Sequence, residues 1–400
     1  MRFAESWGRL VMKSDWKAMK LSDIAIFNPT ERLPKGSTAK KVAMDKLQPF
    51  CRDIPSFEWE AFSGGTKFRN GDTIMARITP CLENGKAAKV NILEDGEVGF
   101  GSTEYIVFRA KETTDPDFLY YLVCSPTIRE PAIKSMVGSS GRQRVQTSVL
   151  ENLIVEVPSL EEQKRIGGLL KALDDKIKLN NQMNNNLLQQ AQAVFAKEFL
   201  SFDTTPEGWK ESSLLGIADY LNGLAMQKFR PKDGENGLPV LKIKELRQGS
   251  RDASSELCSP SIKKEYIVHD GDVIFSWSGS LLVDFWCGGT CGLNQHLFKV
   301  TSTSFDKWFY FAWTDHHLQK FAAIAADMAT TMGHIKREEL AKAEVLVPPQ
   351  AEYERIGGLL APIYDLVVAN RIENRKLATL RDELLPRLMS GYLDVSEVSL

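Results

Sequence analysis

The chain has 400 residues, enough for two or three domains that each bury a core. Hydrophobic residues make up 43% and charged residues 26%, and no apolar run reaches membrane-spanning length, which argues against a membrane role. The net charge of −2 excludes DNA binding through bulk positive charge, so such a role requires basic residues gathered on one face or partners that share the contact. The N-terminus has no signal-peptide apolar core, which makes the cytoplasm the expected location. The six cysteines (51, 81, 124, 258, 287 and 291) form no Cys-x-x-Cys pair and read as reduced thiols.

Residues 1–14 carry no readable pattern. Trp16-Lys17 then opens a segment with Leu21, Ile24 and Ala25 as a short apolar face, and Trp209-Lys210 opens another with Leu214, Ile217 and Ala218 at matching steps. Val42, Met44 and Leu47 match Leu241, Ile243 and Leu246. Asn70-Gly71-Asp72-Thr73-Ile74 matches Asp270-Gly271-Asp272-Val273-Ile274, and Asn-Gly or Asp-Gly before β-formers predicts tight hairpins. The chain is therefore a duplication.

The region after each predicted hairpin differs most between the copies. The first holds Arg77-Ile78-Thr79-Pro80, Asn84-Gly85-Lys86 and Gly138-Ser139-Ser140-Gly141-Arg142-Gln143-Arg144. The second holds Trp277-Ser278-Gly279-Ser280, Cys287-Gly288-Gly289-Thr290-Cys291 and Ala329-Thr330-Thr331-Met332-Gly333-His334-Ile335-Lys336. A constant scaffold with variable polar and basic loops is how recognition surfaces are built. Pro131 to Leu150 contains no acidic residue but carries Lys134, Arg142 and Arg144. Glycines there let backbone approach a phosphate, and Arg and Gln can contact guanine and adenine in bidentate fashion. A flexible charged surface loop is the plainer alternative.

Each copy ends as strand, proline and long helix, and Arg-Ile-Gly-Gly-Leu-Leu occurs identically in both, at Arg165 and at Arg355. Ile154, Val155 and Val157 suit a strand that Pro158 stops, and Ser159 with Glu162 forms a capping box. Pro348-Pro349 takes that place in the second copy. Ile166, Leu170, Leu173, Ile177, Asn180, Asn184, Leu187, Ala191 and Val194 then alternate by four and three. Ile356, Leu360, Ile363, Val367, Asn370, Asn374 and Leu377 do the same. Asparagine falls at the same two steps of both seams, where a buried amide fixes register. From Ser159 to Phe199 is about 40 residues, or about 60 Å of helix. Pro386 is expected to break or kink the second helix.

No catalytic set emerges. The chain has no phosphate-loop motif, for which Gly64-Gly65-Thr66-Lys67 is too short, and no dinucleotide fingerprint. Asn28-Pro29-Thr30 lacks the second proline and aromatic of an amino-methyltransferase motif. Asp117 and nearby acids do not form a metal-nuclease set. All five histidines (269, 296, 316, 317 and 334) lie in the second copy, so no histidine chemistry is repeated. Cys287 and Cys291 with His316 or His317 could hold zinc, although their spacing is not standard and buried thiols are commoner.

From Trp16 to Gly391 the chain resembles the specificity (S) subunits of type I restriction–modification systems. The paired Trp-Lys openings, the paired Gly-Asp-aliphatic strands, Val157-Pro158 followed by Glu162-Gln163-Lys164-Arg165-Ile166, and the closing Leu384-Leu385-Pro386-Arg387-Leu388-Met389-Ser390-Gly391 carry the resemblance. Tyr353 and Glu354 depart from it where the first copy has Gln163 and Lys164. The resemblance implies an α+β fold: two similar α/β target-recognition domains joined by two long helices in an antiparallel coiled coil, with pseudo-twofold symmetry. The expected segments are 1–158 for the first domain, 159–203 for its spacer helix, 204–348 for the second domain and 349–400 for the second helix and tail. It implies a non-catalytic reader of double-stranded DNA that holds two methyltransferase subunits, and through them restriction/translocase subunits. S-adenosylmethionine, ATP and Mg are then expected on those partners, with no cofactor or metal on this chain.

Two non-identical readers on a spacer imply a bipartite, asymmetric target whose half-site centres would fall ~34–36 Å apart if both read one face of the duplex. The expected DNA contacts are Arg77, Thr79, Lys86, Arg142, Gln143 and Arg144 in the first domain. In the second they are Ser278, Ser280, Thr330, Thr331, His334 and Lys336. Asn180, Asn184, Asn370 and Asn374 are expected to face one another across the seam. The competing readings are a coiled-coil scaffold that binds only protein, and a nuclease or methyltransferase with an unfamiliar site.

Overall fold

The computed structural model describes residues 16–251, 254–327, 335–395 and 398. Contacts divide the chain into two units, one built from the chain up to Lys176 together with Leu377 onward, the other from Ile177–Lys376.

The first unit runs β1 (Lys17–Lys20), α1 (Leu21–Ile24), β2 (Ala25–Phe27), β3 (Thr38–Val42), β4 (Glu58–Ala61), β5 (Thr66–Phe68), β6 (Thr73–Ala76), β7 (Ala87–Lys89), β8 (Gly99–Gly101) and β9 (Tyr105–Ala110). It continues through α2 (Pro116–Cys124), α3 (Pro126–Lys134), α4 (Thr147–Glu151) and β10 (Ile154–Val157) into the long helix α5 (Leu160–Phe199). The second runs β11 (Lys210–Ser213), α6 (Leu214–Ile217), β12 (Asp219–Asn222), β13 (Leu238–Leu241), α7 (Ile243–Gln248), β14 (Leu257–Cys258), β15 (Ile267–Val268), β16 (Val273–Ser276), β17 (Leu282–Phe285), β18 (Cys291–Leu293) and β19 (Leu297–Thr301). Then come α8 (Lys307–Asp327), α9 (Arg337–Ala341), β20 (Glu344–Val347) and α10 (Gln350–Met389).

The duplication holds strand for strand. Sheets ordered β2-β9-β6-β7 and β4-β3-β8-β5 in the first unit recur as β12-β19-β16-β17 and β14-β13-β18-β15 in the second. The Trp-Lys openings form β1 and β11, which pair antiparallel with β10 and β20, the strands that lead into the long helices. Leu21, Ile24 and Ala25 are buried, as are Leu214, Ile217 and Ala218, so the matching apolar steps are matching core positions.

The Asn-Gly and Asp-Gly turns form, with Gly71 at φ 87° and Gly271 at φ 83°, but they are not hairpin turns. Each links strands of different sheets: β5 pairs with β8 while β6 pairs with β7 and β9. The cause is the aspartate after the glycine. Asp72 accepts from the Arg69 amide (2.7 Å) and Asp272 from the His269 amide (2.8 Å), bending the chain back on itself before it can pair. Pro386 likewise does not end α10. It lies on an exposed face, so its missing amide costs little, and the helix stops where Gly391 takes φ 66°.

Ser159 caps α5, its Oγ accepting from the Glu162 amide (3.3 Å). In the first unit Ile166, Leu170 and Leu173 of α5 share a core with Leu384 and Leu388 of α10. In the second, Ala191, Phe195 and Phe199 share one with Ile356, Leu360 and Tyr364. Between these apolar stretches the seam turns polar. Asn180 Nδ2 donates to Asn374 Oδ1 (2.8 Å), and Asn370 Nδ2 donates to Asn184 Oδ1 (2.9 Å). Asn180, Asn184 and Asn370 are buried. The offset that carries Ile166 to Ile356 carries Asn180 to Asn370 and Asn184 to Asn374, so it interchanges the two pairs. Asn181 and Glu373 join them: Asn374 donates to Asn181 Oδ1 (2.8 Å) and Asn180 to Glu373 Oε2 (2.6 Å).

The departure at Tyr353 has a geometric reason. Gln163 Oε1 accepts from the Asp115 amide (2.9 Å) just before α2, and Tyr353 Oη accepts from the Asp306 amide (2.7 Å) just before α8. Amide and phenol perform the same task, tying the long helix to the start of the helix packed on the sheet.

Candidate nucleic-acid interface

β6 leaves its sheet at Arg77. Backbone pairing continues beyond it: the Val145 amide donates to the Arg77 carbonyl (2.9 Å) and the Thr79 amide to the Gln143 carbonyl (3.0 Å). Val137 and Arg144 exchange both backbone bonds (3.0 and 2.9 Å). Segments far apart in sequence therefore form one ribbon that carries Arg77, Thr79, Arg142, Gln143 and Arg144. Its tip needs glycine at 138, where φ is 136° and a Cβ would lie 2.9 Å from the Arg142 carbonyl oxygen.

Within this ribbon the basic groups differ in availability. Arg77 is half-buried and donates to the Val145 carbonyl (3.0 Å), bracing the ribbon. Thr79 keeps its hydroxyl buried without a partner in the structure. Lys86 donates its ammonium to the Met44 carbonyl (2.8 Å). Arg144 is held by both oxygens of Glu104 (2.7 and 3.0 Å), and its hydrogen bonds keep the Glu104 carboxyl below the usual carboxylate range. The stretch without acids is thus neutralised by an acid brought from elsewhere. Arg142 is exposed at the tip and has no ion-pair partner among the described residues.

In the second unit the Ile335 amide donates to the Trp277 carbonyl (3.0 Å), the counterpart of the bond from Val145 to Arg77. Lys336 is exposed just beyond. Ser280 is exposed, but Ser278 is 3% exposed with its Oγ 3.2 Å from His296 Nδ1, so its hydroxyl faces inward and does not offer the surface contact expected of it. Thr330, Thr331 and His334 lie outside the described residues.

The residues considered for zinc are spent on packing. Cys287 and Cys291 are buried, and burial raises the Cys287 thiol to about 11 and the Cys291 thiol to about 12. His316 lies among Phe195 and Trp313, and His317 Nε2 is 2.8 Å from the Glu344 carbonyl. Among the described residues no three His, Cys, Asp or Glu side chains converge as a metal site, and no helix is long and apolar enough to cross a membrane.

Comparison with known proteins fits this duplicated arrangement. The type I restriction modification DNA specificity domain matches residues 13–189 and again 206–381. The type I restriction enzyme MjaIX specificity subunit of Methanocaldococcus jannaschii is 24% identical over 72% of this chain and 71% of its own length. The EcoEI specificity subunit of Escherichia coli is 31% identical over 43% of this chain and 30% of its own. The crystal structure of the type I restriction-modification S subunit from M. genitalium superposes with a TM-score of 0.56 at 12% identity, covering 95% of this chain and 97% of that one, which establishes the likeness of fold. With the family domain matched twice along nearly its whole length, this chain belongs to the type I restriction–modification DNA specificity subunits.

Proposed function

We propose that each unit reads one half of a bipartite, asymmetric DNA target, and that the chain presents this target to methyltransferase subunits and, through them, to restriction/translocase subunits. The observation that carries this reading is one backbone bond made at equivalent places in both units, with different residues beside it. The Val145 amide meets the Arg77 carbonyl and the Ile335 amide the Trp277 carbonyl, yet Arg142-Gln143-Arg144 precedes the first bond and Lys336 follows the second. A fixed frame with exchanged side chains gives two different base preferences. Catalysis, S-adenosylmethionine, ATP and Mg belong to the partners in this reading.

Arg142 is the first residue to test. Bound to the methyltransferase partner, Arg142→Ala should lose ~1–3 kcal/mol against one base pair if Arg142 reads a base. If it holds a phosphate instead, all sequences should weaken and the salt slope should fall by about 1. Unchanged affinity and unchanged salt slope in fluorescence anisotropy would place the DNA surface elsewhere. A protein-only scaffold is favoured by the net charge of −2 and by the pairing of Arg144 with Glu104. Footprinting of the chain with its methyltransferase separates the two readings.

A further inference from the structure

The two units treat one equivalent place in opposite ways. In the first, the loop between β3 and β4 drives Arg52, 6% exposed, into the space between β7, α2 and α5. Its guanidinium donates to Asp117 (2.9 Å) and approaches Asp175 (3.4 Å), while its carbonyl accepts from the Lys89 amide (2.9 Å). Lys89 also reaches Asp117, and Lys171 reaches Asp175. Two carboxylates and their cations fill the space.

Each counterpart in the second unit can be assigned. Phe285 faces Val273 as Lys89 faces Thr73. Trp308 follows the tethered Asp306 as Asp117 follows the tethered Asp115. Asp365 follows Ile356 by nine residues as Asp175 follows Ile166, and by the same offset Ala361 replaces Lys171. Among the described residues no arginine lines this space, and the Phe285 amide donates to the side-chain Oδ1 of the adjacent Asp284 (2.9 Å) rather than to a loop carbonyl. What remains is a cavity of about 600 Å³ walled by Phe285, Trp308, Tyr353 and Tyr364, with Asp365 at its side. Asp365 is exposed and has no ion-pair partner among the described residues. Asp306, Glu354 and Asp365 against Lys307 leave the lining with an excess of negative charge.

We infer that this cavity receives an arginine side chain of a partner protein, which supplies from outside the guanidinium that Arg52 supplies within the first unit. Phe285, Trp308 and Tyr364 are only 3–5% exposed, so it is the partly exposed ring of Tyr353, in a lining that also holds Asp365, that suits a planar guanidinium, which stacks and hydrogen-bonds at once, better than an ammonium. A protein is the source because the internal precedent is an arginine presented on a loop. The inference does not depend on DNA reading.

The test uses the full chain labelled with 5-fluorotryptophan, with the Trp308 ¹⁹F signal assigned through Trp308→Phe. The capped peptide acetyl-Gly-Arg-Gly-amide should move that signal saturably, and its citrulline counterpart should bind at least tenfold more weakly. Asp365→Asn should weaken the arginine peptide at least tenfold. Ala361→Lys keeps every carboxylate but supplies the ammonium that Lys171 supplies in the first unit, and should abolish binding even if Asp365→Asn fails to fold. An unmoved Trp308 signal, equal binding of the citrulline peptide, or full binding by Ala361→Lys overturns the inference. Tighter binding of free arginine than of the capped peptide would overturn the protein source.

Discussion

Replacing Asn180, Asn184, Asn370 and Asn374 together with leucine tests what the polar stretch of the seam does. The change removes four cross-helix hydrogen bonds, of 2.6, 2.8, 2.8 and 2.9 Å, a net loss of ~4 kcal/mol at ~1 kcal/mol each. Three of the four positions are at most 8% exposed, and each leucine buried there contributes ~1.5–3 kcal/mol. Crowding from the added volume returns ~1–3 kcal/mol of this. The variant should therefore gain only about 1 kcal/mol in urea unfolding, the central value of these opposing terms. It should also lose specificity, because a one-heptad slip no longer leaves amides unpaired. In a background without native cysteines, a cysteine pair at Leu187 and Val367 continues the native pairing, whereas a pair at Leu187 and Leu360 reports a slip. The wild-type seam should cross-link only the first pair, and the leucine variant both. A variant that cross-links only the native pair refutes the reasoning.

In the first unit, Arg381 donates to Asp174 (2.6 Å), which also accepts from the Tyr121 hydroxyl (2.6 Å), and both charges are nearly buried. Arg381→Met should cost ~3–5 kcal/mol by stranding the carboxylate, and adding Asp174→Asn should restore most of it, as a double-mutant cycle in urea would show. In the second unit, the hydrogen bonds from Arg375 hold the Asp270 carboxyl below its usual range. The native state therefore binds its proton less readily than the unfolded chain. The resulting stability is fully present above the unfolded value, near pH ~4, and is lost as pH falls through the lower native value. Asp270→Asn should flatten that acid-side slope in unfolding free energy measured from pH 6 to 3. An unchanged slope counts against the pairing.

Local patterns were the legible part of this sequence. The strand before each long helix, the Ser159 cap and the four seam asparagines follow from residues a few positions apart, and the duplication from the recurrence of such patterns about 190 residues on. Partners brought from afar were not legible. Nothing near Arg144 announces Glu104, because ribbon closure brings them together. Asp117 looked like an isolated acid, yet it anchors Arg52 and Lys89. Ser278 sits in a Ser-Gly-Ser stretch that reads as surface, but the chain beyond β16 turns it toward His296. The mismatch at Tyr353 could be seen, but not that a phenol would take over the work of a glutamine amide. The helix pair α2 and α3 went unread, although Asp115 before Pro116 is a cap-and-proline signal and the Asp115 side chain does accept from the amides of Asp117 and Phe118.

The most direct measurement is a genome-wide map of methylated adenines in cells whose copy of this gene has residues 204–348 exchanged for the corresponding segment of a relative. The account predicts a bipartite target in which one half changes and the other half stays as it was. A target altered in both halves, or in neither, contradicts the claim that each unit reads its own half.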